Sequence, residues 1–224
     1  LQNYKPQHVV CDIVQHDADK KIVAVEISLS DFHLAKKVID GNNDINVRKA
    51  AYMHVVQELV KNVRSVYNID TIVFPISNDF FHTDNYQNST TAGTPQDTIA
   101  DYAEEYEHGF DLLVQAIDFL KSNADAVEVI LVQGNHDRTK SYYLAHALSV
   151  YYANDEDVYF DRTTSLVKGV TLGNTFIGYH HGNCKLDDLP LLFATHKDYG
   201  YKFGAAVYRE VHTGDKHHYM AKEV

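Results

Sequence analysis

Five short clusters of Asp, Asn and His recur along the chain, and most directly follow an apolar, β-branched segment. The clusters are Asp31-Phe32-His33, Asn78-Asp79, Gly134-Asn135-His136-Asp137, His180-His181-Gly182 and Gly214-Asp215-Lys216-His217. They supply carboxylate oxygen, amide oxygen and imidazole nitrogen, and none supplies sulfur. Such mixed ligands suit divalent ions such as Mn²⁺, Fe²⁺ or Zn²⁺. Two such ions about 3.5–4 Å apart can bind a phosphate group and activate water for in-line attack.

The segments around the clusters predict an α/β domain. Strands are predicted at residues 9–14, 21–29, 71–76, 127–132, 175–179 and 205–211, and helices at 46–67, 94–123 and 139–152. Thr94-Pro95-Gln96-Asp97 predicts the start of the second helix, because it combines a cap residue, an early Pro and an acid. After the third helix the chain is predicted to be mostly strands. Because ligands bind beyond the carboxyl ends of strands in α/β sheets, five clusters there predict one site.

Composition is consistent with a globular protein and argues against a membrane helix and against binding of long nucleic acid. The chain has 224 residues, of which 45% are hydrophobic, and no run approaches the roughly 20 apolar residues of a membrane helix. We expect one domain over residues 1–224; a chain that starts with Leu1 is also compatible with a domain excised from a longer protein. The net charge of -11 disfavours binding of long nucleic acid, while fourteen histidines favour metal chemistry. Cys11 and Cys184 form no CxxC motif, which favours a cytoplasmic protein.

The order and spacing of the clusters resemble the calcineurin-like metallophosphoesterase family. That family has D-x-H, then G-D, then G-N-H-D/E, then H, then G-H-x-H, and the match here spans Asp31 to His217. The resemblance implies a layered α/β/β/α sandwich with a two-metal site at the carboxyl ends of its strands. Mn²⁺ is the expected metal, with Fe, Mg or Zn as alternatives.

The resemblance also implies a set of metal ligands. For the first metal they are Asp31, His33, Asp79 and His217, and for the second Asp79, Asn135, His181 and Asp215. Asp79 would be shared by both ions, and His180 is the alternative to His181. This chain departs from the family at Asn78, which replaces a glycine, and at Asp215, which replaces a histidine. Asn tolerates positive φ better than other non-glycine residues, and the additional carboxylate of Asp215 favours Mn²⁺ or Mg²⁺ over Zn²⁺.

Three more residues match catalytic positions of the family. His136 matches the histidine that protonates the leaving oxygen, and Asp137 matches the acid that orients it. His82, three residues after Asp79, matches a histidine near the substrate in the nuclease branch. The acidic run at residues 101–107 is expected to be a solvated helix face.

These residues predict hydrolysis of a phosphate ester, with three alternatives left open. The first is a phosphodiesterase or DNA nuclease that acts on short or single-stranded nucleic acid. The second is a phosphomonoesterase for a small molecule or phosphoprotein. The third is a non-catalytic domain that retains the fold, suggested by the unusual Asp215. The sequence predicts no membrane contact and leaves the oligomeric state open.

Overall fold

A computed structural model describes residues 14–39 and 41–215 of the protein. The predicted metal ligand His217 and residues 9–13 of the first predicted strand lie outside this part of the chain. Across the described residues, no helix combines the length and apolar character that crossing a bilayer requires.

In the described part of the chain, the first sheet contains four parallel strands that are adjacent in chain order. They are β1 (Ile22–Glu26), β2 (Asn68–Ser77), β3 (Ala126–Val132) and β4 (Val158–Asp161). Three helices make the crossovers: α1 (Ile45–Val66), α2 (Tyr102–Lys121) and α3 (Arg138–Tyr151). Parallel neighbours need such crossovers, and β2 and β3 are nearly continuous apolar runs because both of their faces are covered.

The second sheet, as far as residue 215, contains three strands with shorter connecting elements. They are β5 (Lys168–Leu172), β6 (Thr175–Tyr179) and β7 (Tyr208–His212). β5 and β6 are antiparallel and joined by a tight turn in which Gly173 has φ 56°, whereas β6 and β7 are parallel. A 3₁₀ turn (Leu186–Asp188), α4 (Leu189–Ala194) and α5 (Gly200–Ala205) lie between β6 and β7.

Among the residues described, buried hydrophobic side chains form three clusters, one on each side of the two sheets and one between them. The largest packs α1, α2 and α3 against the first sheet. The second joins the two sheets through Val73, Ile130, Val132, Val170, Ile177 and Tyr179. The third packs α4, including its Phe193, and the adjacent segments against Phe176 of the second sheet. Both sheets are therefore held at one mutual orientation, and the loops after their strands have a common, rigid base.

The predicted α/β class is confirmed, and most predicted elements lie within a few residues of the observed ones. The predicted start of the second helix is wrong. Residues 94–101 instead pair with other loops: Lys36 and Thr98 form an isolated β-bridge, and the Ile99 N–H donates to the Ala35 carbonyl. The helix begins at Tyr102, where Asp101 and Glu104 form a capping box that outcompetes the upstream signal.

The prediction for the carboxyl-terminal part is also wrong in part. It was expected to contain mostly strands, but it includes the two short helices α4 and α5. Residues 205–211 were predicted as a strand, whereas Ala205 ends α5 and the strand is Tyr208–His212. Pro190 at the first turn of α4 is compatible with the fixed φ of a helix start.

Candidate metal centre

Four of the five clusters follow a strand, either directly or after one intervening residue. β2 is followed by Asn78-Asp79, β3 by Gln133 and Gly134-Asn135-His136-Asp137, β6 by His180-His181, and β7 by Thr213-Gly214-Asp215. β1 ends at Glu26, earlier than predicted, although the Ile27 N–H still donates to the carbonyl of Val73 in β2 (2.9 Å). The first cluster therefore lies on a loop that runs beside β2.

Main-chain hydrogen bonds connect these loops to one another. The Asp31 N–H donates to the Asn78 carbonyl (2.8 Å), the His33 N–H to the Asp79 carbonyl (3.0 Å) and the Gly214 N–H to the His181 carbonyl (2.9 Å). The loops after β1 and β2 are joined in this way, as are those after β6 and β7. The candidate side chains are therefore positioned by backbone contacts as well as by the sheets.

Left-handed backbone is concentrated at this site. Seven described non-glycine residues have positive φ, and five are candidate site residues or Asn78: Asp31 (54°), His33 (48°), Asn78 (54°), Asp79 (63°) and Asp215 (60°). Such conformations each cost roughly 1–3 kcal/mol and persist where the surroundings impose them, often at functional sites. Asn78 does have positive φ, which is the conformation that Asn tolerates better than other non-glycine residues.

Two motif glycines leave room for the carboxylates. A Cβ atom on Gly134 would collide with the carboxylate and amide nitrogen of Asp79, and one on Gly214 would collide with the carboxylate of Asp31. Larger residues would therefore displace the side chains predicted to bind metal. The glycines contribute to the site by allowing close approach of backbone and carboxylate.

The oxygen-rich half of the site, which we call the carboxylate side, consists of Asp31, Asp79, Asn135, His181 and Asp215. His181 Nε2 lies 2.6 Å from Asn135 Oδ1, 3.3 Å from Asp79 Oδ2 and 3.7 Å from Asp215 Oδ1. Its Nδ1 lies 2.6 Å from Asn78 Oδ1, which fixes the orientation of the ring. Burial lowers the pKa of His181, but the hydrogen bond and charge of Asp79, together with Asp215 and Asp31, outweigh burial and raise it.

Asp79 lies between two sets of candidate ligands. One oxygen contacts His181, and the other accepts the His136 N–H (2.8 Å). Ligand atoms of Asp31, His33 and Asp79 lie within 4.8 Å of one another. Burial raises the pKa of the Asp79 carboxyl, but the hydrogen bond and charge of His181 outweigh burial and lower it, which favours the carboxylate. At 1% exposure, a buried carboxylate in this position is suited to contact two ions.

The nitrogen-rich half, which we call the imidazole side, consists of His33, His82 and His136. His33 Nδ1 and His82 Nδ1 are 3.3 Å apart, so one can donate to the other. Burial is the main cause that lowers the pKa of His33 to about 3 and that of His82 to about 4. The charge of Asp79 partly offsets this effect at His33, whereas His136 adds to it at both. His33 and His82 are therefore neutral near pH 7.

His136 is oriented by a carbonyl group rather than by a carboxylate. Its Nδ1 lies 3.0 Å from the His82 carbonyl, which can only accept, so Nδ1 carries the proton of this bond. Asp137, predicted to orient His136, instead accepts the Phe81 N–H (3.0 Å) and is fully buried. Burial and the charge of Asp79 raise the pKa of Asp137 to about 7. Asp137 therefore supports the backbone before His82, and its effect on His136 is indirect.

Glu105 supports the imidazole side and was missed by the sequence analysis. Its Oε1 accepts the His82 N–H (2.6 Å), and its Oε2 accepts the Thr83 hydroxyl (2.9 Å) and Lys140 Nζ (2.6 Å). Glu105 and Thr83 are 0% exposed and Lys140 is 5% exposed. Lys140 thus fixes the Glu105 carboxylate, and that carboxylate in turn fixes the backbone of His82.

The expectation that residues 101–107 form a solvated helix face is therefore wrong at Glu105. The helical spacing of residues in the sequence indicates that Glu105 should be buried. Glu105 precedes Gly109 by four residues and Leu112 by seven, and both of these residues are buried in α2. The spacing places Glu105 on the apolar face, where an acid needs a partner.

Of the two adjacent histidines, His181 is the one that contacts the candidate ligands. His180 Nδ1 accepts the Gly182 N–H (3.1 Å) and lies 3.7 Å from Cys184 Sγ. Burial lowers the pKa of His180, with a further contribution from His181. The geometry thus favours His181 over His180 as a metal ligand.

No family model matches the chain, and no curated protein or solved structure shows a significant match to it. Within residues 14–39 and 41–215, two groups of side chains have the proximity needed to hold a metal ion: Asp31, His33 and Asp79, and His33, His82 and His136. Buried carboxylates and imidazoles are a suitable donor set for divalent ions.

Proposed function

We propose that the protein is a metal-dependent phosphoesterase with a two-metal site formed by the carboxylate side and His33. The observation that carries the proposal is the position of Asp79, which is grouped with Asp31 and His33 and also contacts His181. A carboxylate between two ligand sets is what a two-metal site needs. The succession of helices, sheet, sheet and helices also supports the likeness to metallophosphoesterases.

The donor chemistry supports hard or borderline ions. The carboxylate side offers the oxygens of Asp31, Asp79, Asn135 and Asp215 with one imidazole, and Mn²⁺ fits this set better than Zn²⁺. Two such ions would polarise the phosphate and lower the pKa of a water nucleophile. Asp31 and Asp79 would bind one ion with His33, and Asp79, Asn135 and His181 the other. Asp215, 3.7 Å from His181, would add a carboxylate near the second set.

His136 is the proposed general acid. Its Nδ1 proton is engaged by the His82 carbonyl, so a second proton, carried on Nε2 by the imidazolium form, is the one that His136 would give to the leaving oxygen. The His136 N–H donates to Asp79, which ties the position of the acid to the shared carboxylate. A proton delivered at this point would stabilise the leaving alkoxide.

A phosphodiester is the proposed substrate class. Three carboxylates, Asp31, Asp79 and Asp215, converge on the site. A diester carries one negative charge at neutral pH and a monoester up to two, so these carboxylates disfavour the monoester more strongly. The net charge of -11 also disfavours long duplexes. Short or single-stranded nucleic acid is therefore the proposed natural class, and a phosphomonoester is the alternative.

A panel of model substrates tests this assignment. Purified protein with Mn²⁺ is assayed on bis-p-nitrophenyl phosphate, p-nitrophenyl phosphate and labelled single-stranded oligonucleotides. We expect cleavage of the diester and the oligonucleotides to exceed that of the monoester. Cleavage of the monoester alone would show that the diester assignment is wrong, and no cleavage of any substrate with metal bound would favour the non-catalytic alternative.

A further inference from the structure

The imidazole side forms a compact group that the proposed two-metal chemistry uses only in part. Ring centroids are 4.7 Å apart for His33 and His136, 5.2 Å for His33 and His82, and 5.4 Å for His82 and His136. One nitrogen from each ring lies within 4.8 Å of the other two. His33 and His82 are each 4% exposed.

These distances fit coordination of a single ion. An ion with metal–nitrogen distances of about 2.0–2.1 Å in a tetrahedral site holds its ligand nitrogens roughly 3.3–3.4 Å apart. The observed separation of His33 Nδ1 and His82 Nδ1 is 3.3 Å. His136 already gives its Nδ1 proton to the His82 carbonyl, which leaves Nε2 for an ion. A backbone carbonyl is a common partner for the second nitrogen of a metal-binding histidine.

We propose that His33, His82 and His136 form a second kind of metal site, selective for Zn²⁺-like ions over Mn²⁺ or Mg²⁺. Three imidazoles without a carboxylate favour borderline ions such as Zn²⁺ and Co²⁺, and leave a fourth position for water. The buried contact between Glu105 and the His82 N–H holds one ligand in place before any ion arrives. His33 belongs to both ligand groups, so the two sites compete for it.

One consequence rests on the proposed function. An ion held by the imidazole side would occupy His136, the proposed general acid, and would withdraw His33 from the carboxylate side. Zn²⁺ would then inhibit hydrolysis supported by Mn²⁺. The binding site itself does not depend on the protein being an enzyme, so it is tested separately by spectroscopy.

The test uses Co²⁺ as a spectroscopic probe of the full chain after removal of metal. Four-coordinate Co²⁺ absorbs visible light strongly, whereas six-coordinate Co²⁺ with mainly oxygen ligands absorbs weakly. We expect wild type to develop the strong absorption and to lose it when Zn²⁺ is added. His82→Ala and His136→Ala should lack it, while Asp31→Asn should keep it. His146→Ala, which removes an exposed imidazole well inside α3, is the matched control and should resemble wild type.

Each result either supports or overturns metal binding by the three histidines. Strong absorption that depends on His82 and His136 but not on Asp31 supports it. Its absence from wild type, its persistence in either histidine variant, or its loss in Asp31→Asn would overturn it. If circular dichroism shows that His82→Ala is unfolded, His136→Ala gives the answer. An inactive wild type with the expected absorption would refute the proposed enzyme and leave this metal site intact.

Discussion

The carboxylate side and the imidazole side contain the same residue type with opposite electrostatic behaviour. The pKa of His181 is raised because Asp79, Asp215 and Asp31 outweigh the effect of its burial. The pKa of His33 is lowered to about 3 and that of His82 to about 4, mainly by burial. The charge of each histidine therefore depends on its immediate surroundings: nearby carboxylates favour the protonated ring, and burial favours the neutral ring.

This difference separates two tasks within one site. On the carboxylate side the anionic oxygens of Asp79 and Asp31 attract cations. On the imidazole side neutral nitrogens can accept or pass a proton, or bind a borderline ion. Asp79 joins the two sides, since it contacts His181 through its side chain and accepts the His136 N–H.

The largest expected effect comes from the proposed general acid. His136→Ala should lower kcat for the diester by about 10²–10⁴-fold, because proton transfer is lost. Mn²⁺ binding should be unchanged, since His136 is not one of the proposed Mn²⁺ ligands. Steady-state kinetics and calorimetric Mn²⁺ titration of the same preparation measure both quantities. His146→Ala provides the control, and retained turnover in His136→Ala would refute the assignment.

The next effect concerns the support behind the imidazole side. Glu105→Leu leaves Lys140 buried without its partner and should lower the free energy of unfolding by about 3–5 kcal/mol. Denaturant unfolding measures this change. Glu107→Leu, at an exposed position of the same helix, should change stability by no more than about 0.5 kcal/mol. The double variant Glu105→Leu with Lys140→Met should recover stability; if it does not, the loss at Glu105 has another cause.

A smaller effect is expected from the residue that orients His181 on the carboxylate side. Asn78→Gly preserves the positive φ of 54° but removes the amide oxygen 2.6 Å from His181 Nδ1. We expect the second Mn²⁺ to bind about 10–100-fold more weakly. Asn78→Ala should lose affinity in the same way and also lose about 1–2 kcal/mol of stability through backbone strain. Titration calorimetry and unfolding separate these effects, and wild-type affinity in the glycine variant would contradict the orienting role.

The most gradual effect is the pH dependence of stability in metal-free protein, because it is spread over several pH units. Between about pH 6.5 and 4 the unfolded chain protonates His82, but the folded chain does not, because its pKa is lowered to about 4. Stability therefore falls on acidification by up to about 1.4 kcal/mol per pH unit for this group. His82→Ala removes this contribution, so its stability relative to wild type should rise as the pH falls.

Unfolding curves at a series of pH values measure that difference. Asp137 acts in the opposite direction: its pKa is raised to about 7 in the folded chain, so its protonation stabilises the fold as the pH falls. Both proteins contain Asp137, so its contribution cancels in the difference between them. A constant stability difference between His82→Ala and wild type over this range would contradict a neutral, buried His82.

The sequence was sufficient to predict the main elements and the residues that follow the strands. Apolar periodicity predicted α1 within a residue or two. The loops around Asp79 and His181 meet, as the prediction of one site requires, although they follow strands of different sheets. The failures came from contacts between distant segments. The helix predicted to start at Thr94 does not start there, because residues 94–101 pair with other loops.

The details of the site depended on tertiary contacts that no local pattern specifies. The predicted contact between Asp137 and His136 is replaced by the His82 carbonyl, because Asp137 turns towards the Phe81 N–H. The proximity of His33 and His82 arises from loops 49 residues apart in the chain. Glu105 had a signal in its helical spacing, but its partner Lys140 lies on another helix.

Metal analysis of wild type and Asp79→Asn tests the central claim most directly. Protein is purified, supplied with Mn²⁺, freed of unbound metal and analysed by mass spectrometry for metal content per chain. The two-metal account predicts two ions in wild type and a marked loss of both in Asp79→Asn, with Asp19→Asn at an exposed position as the control. No more than trace metal in wild type, or two ions retained in Asp79→Asn, would contradict a site built around this shared carboxylate.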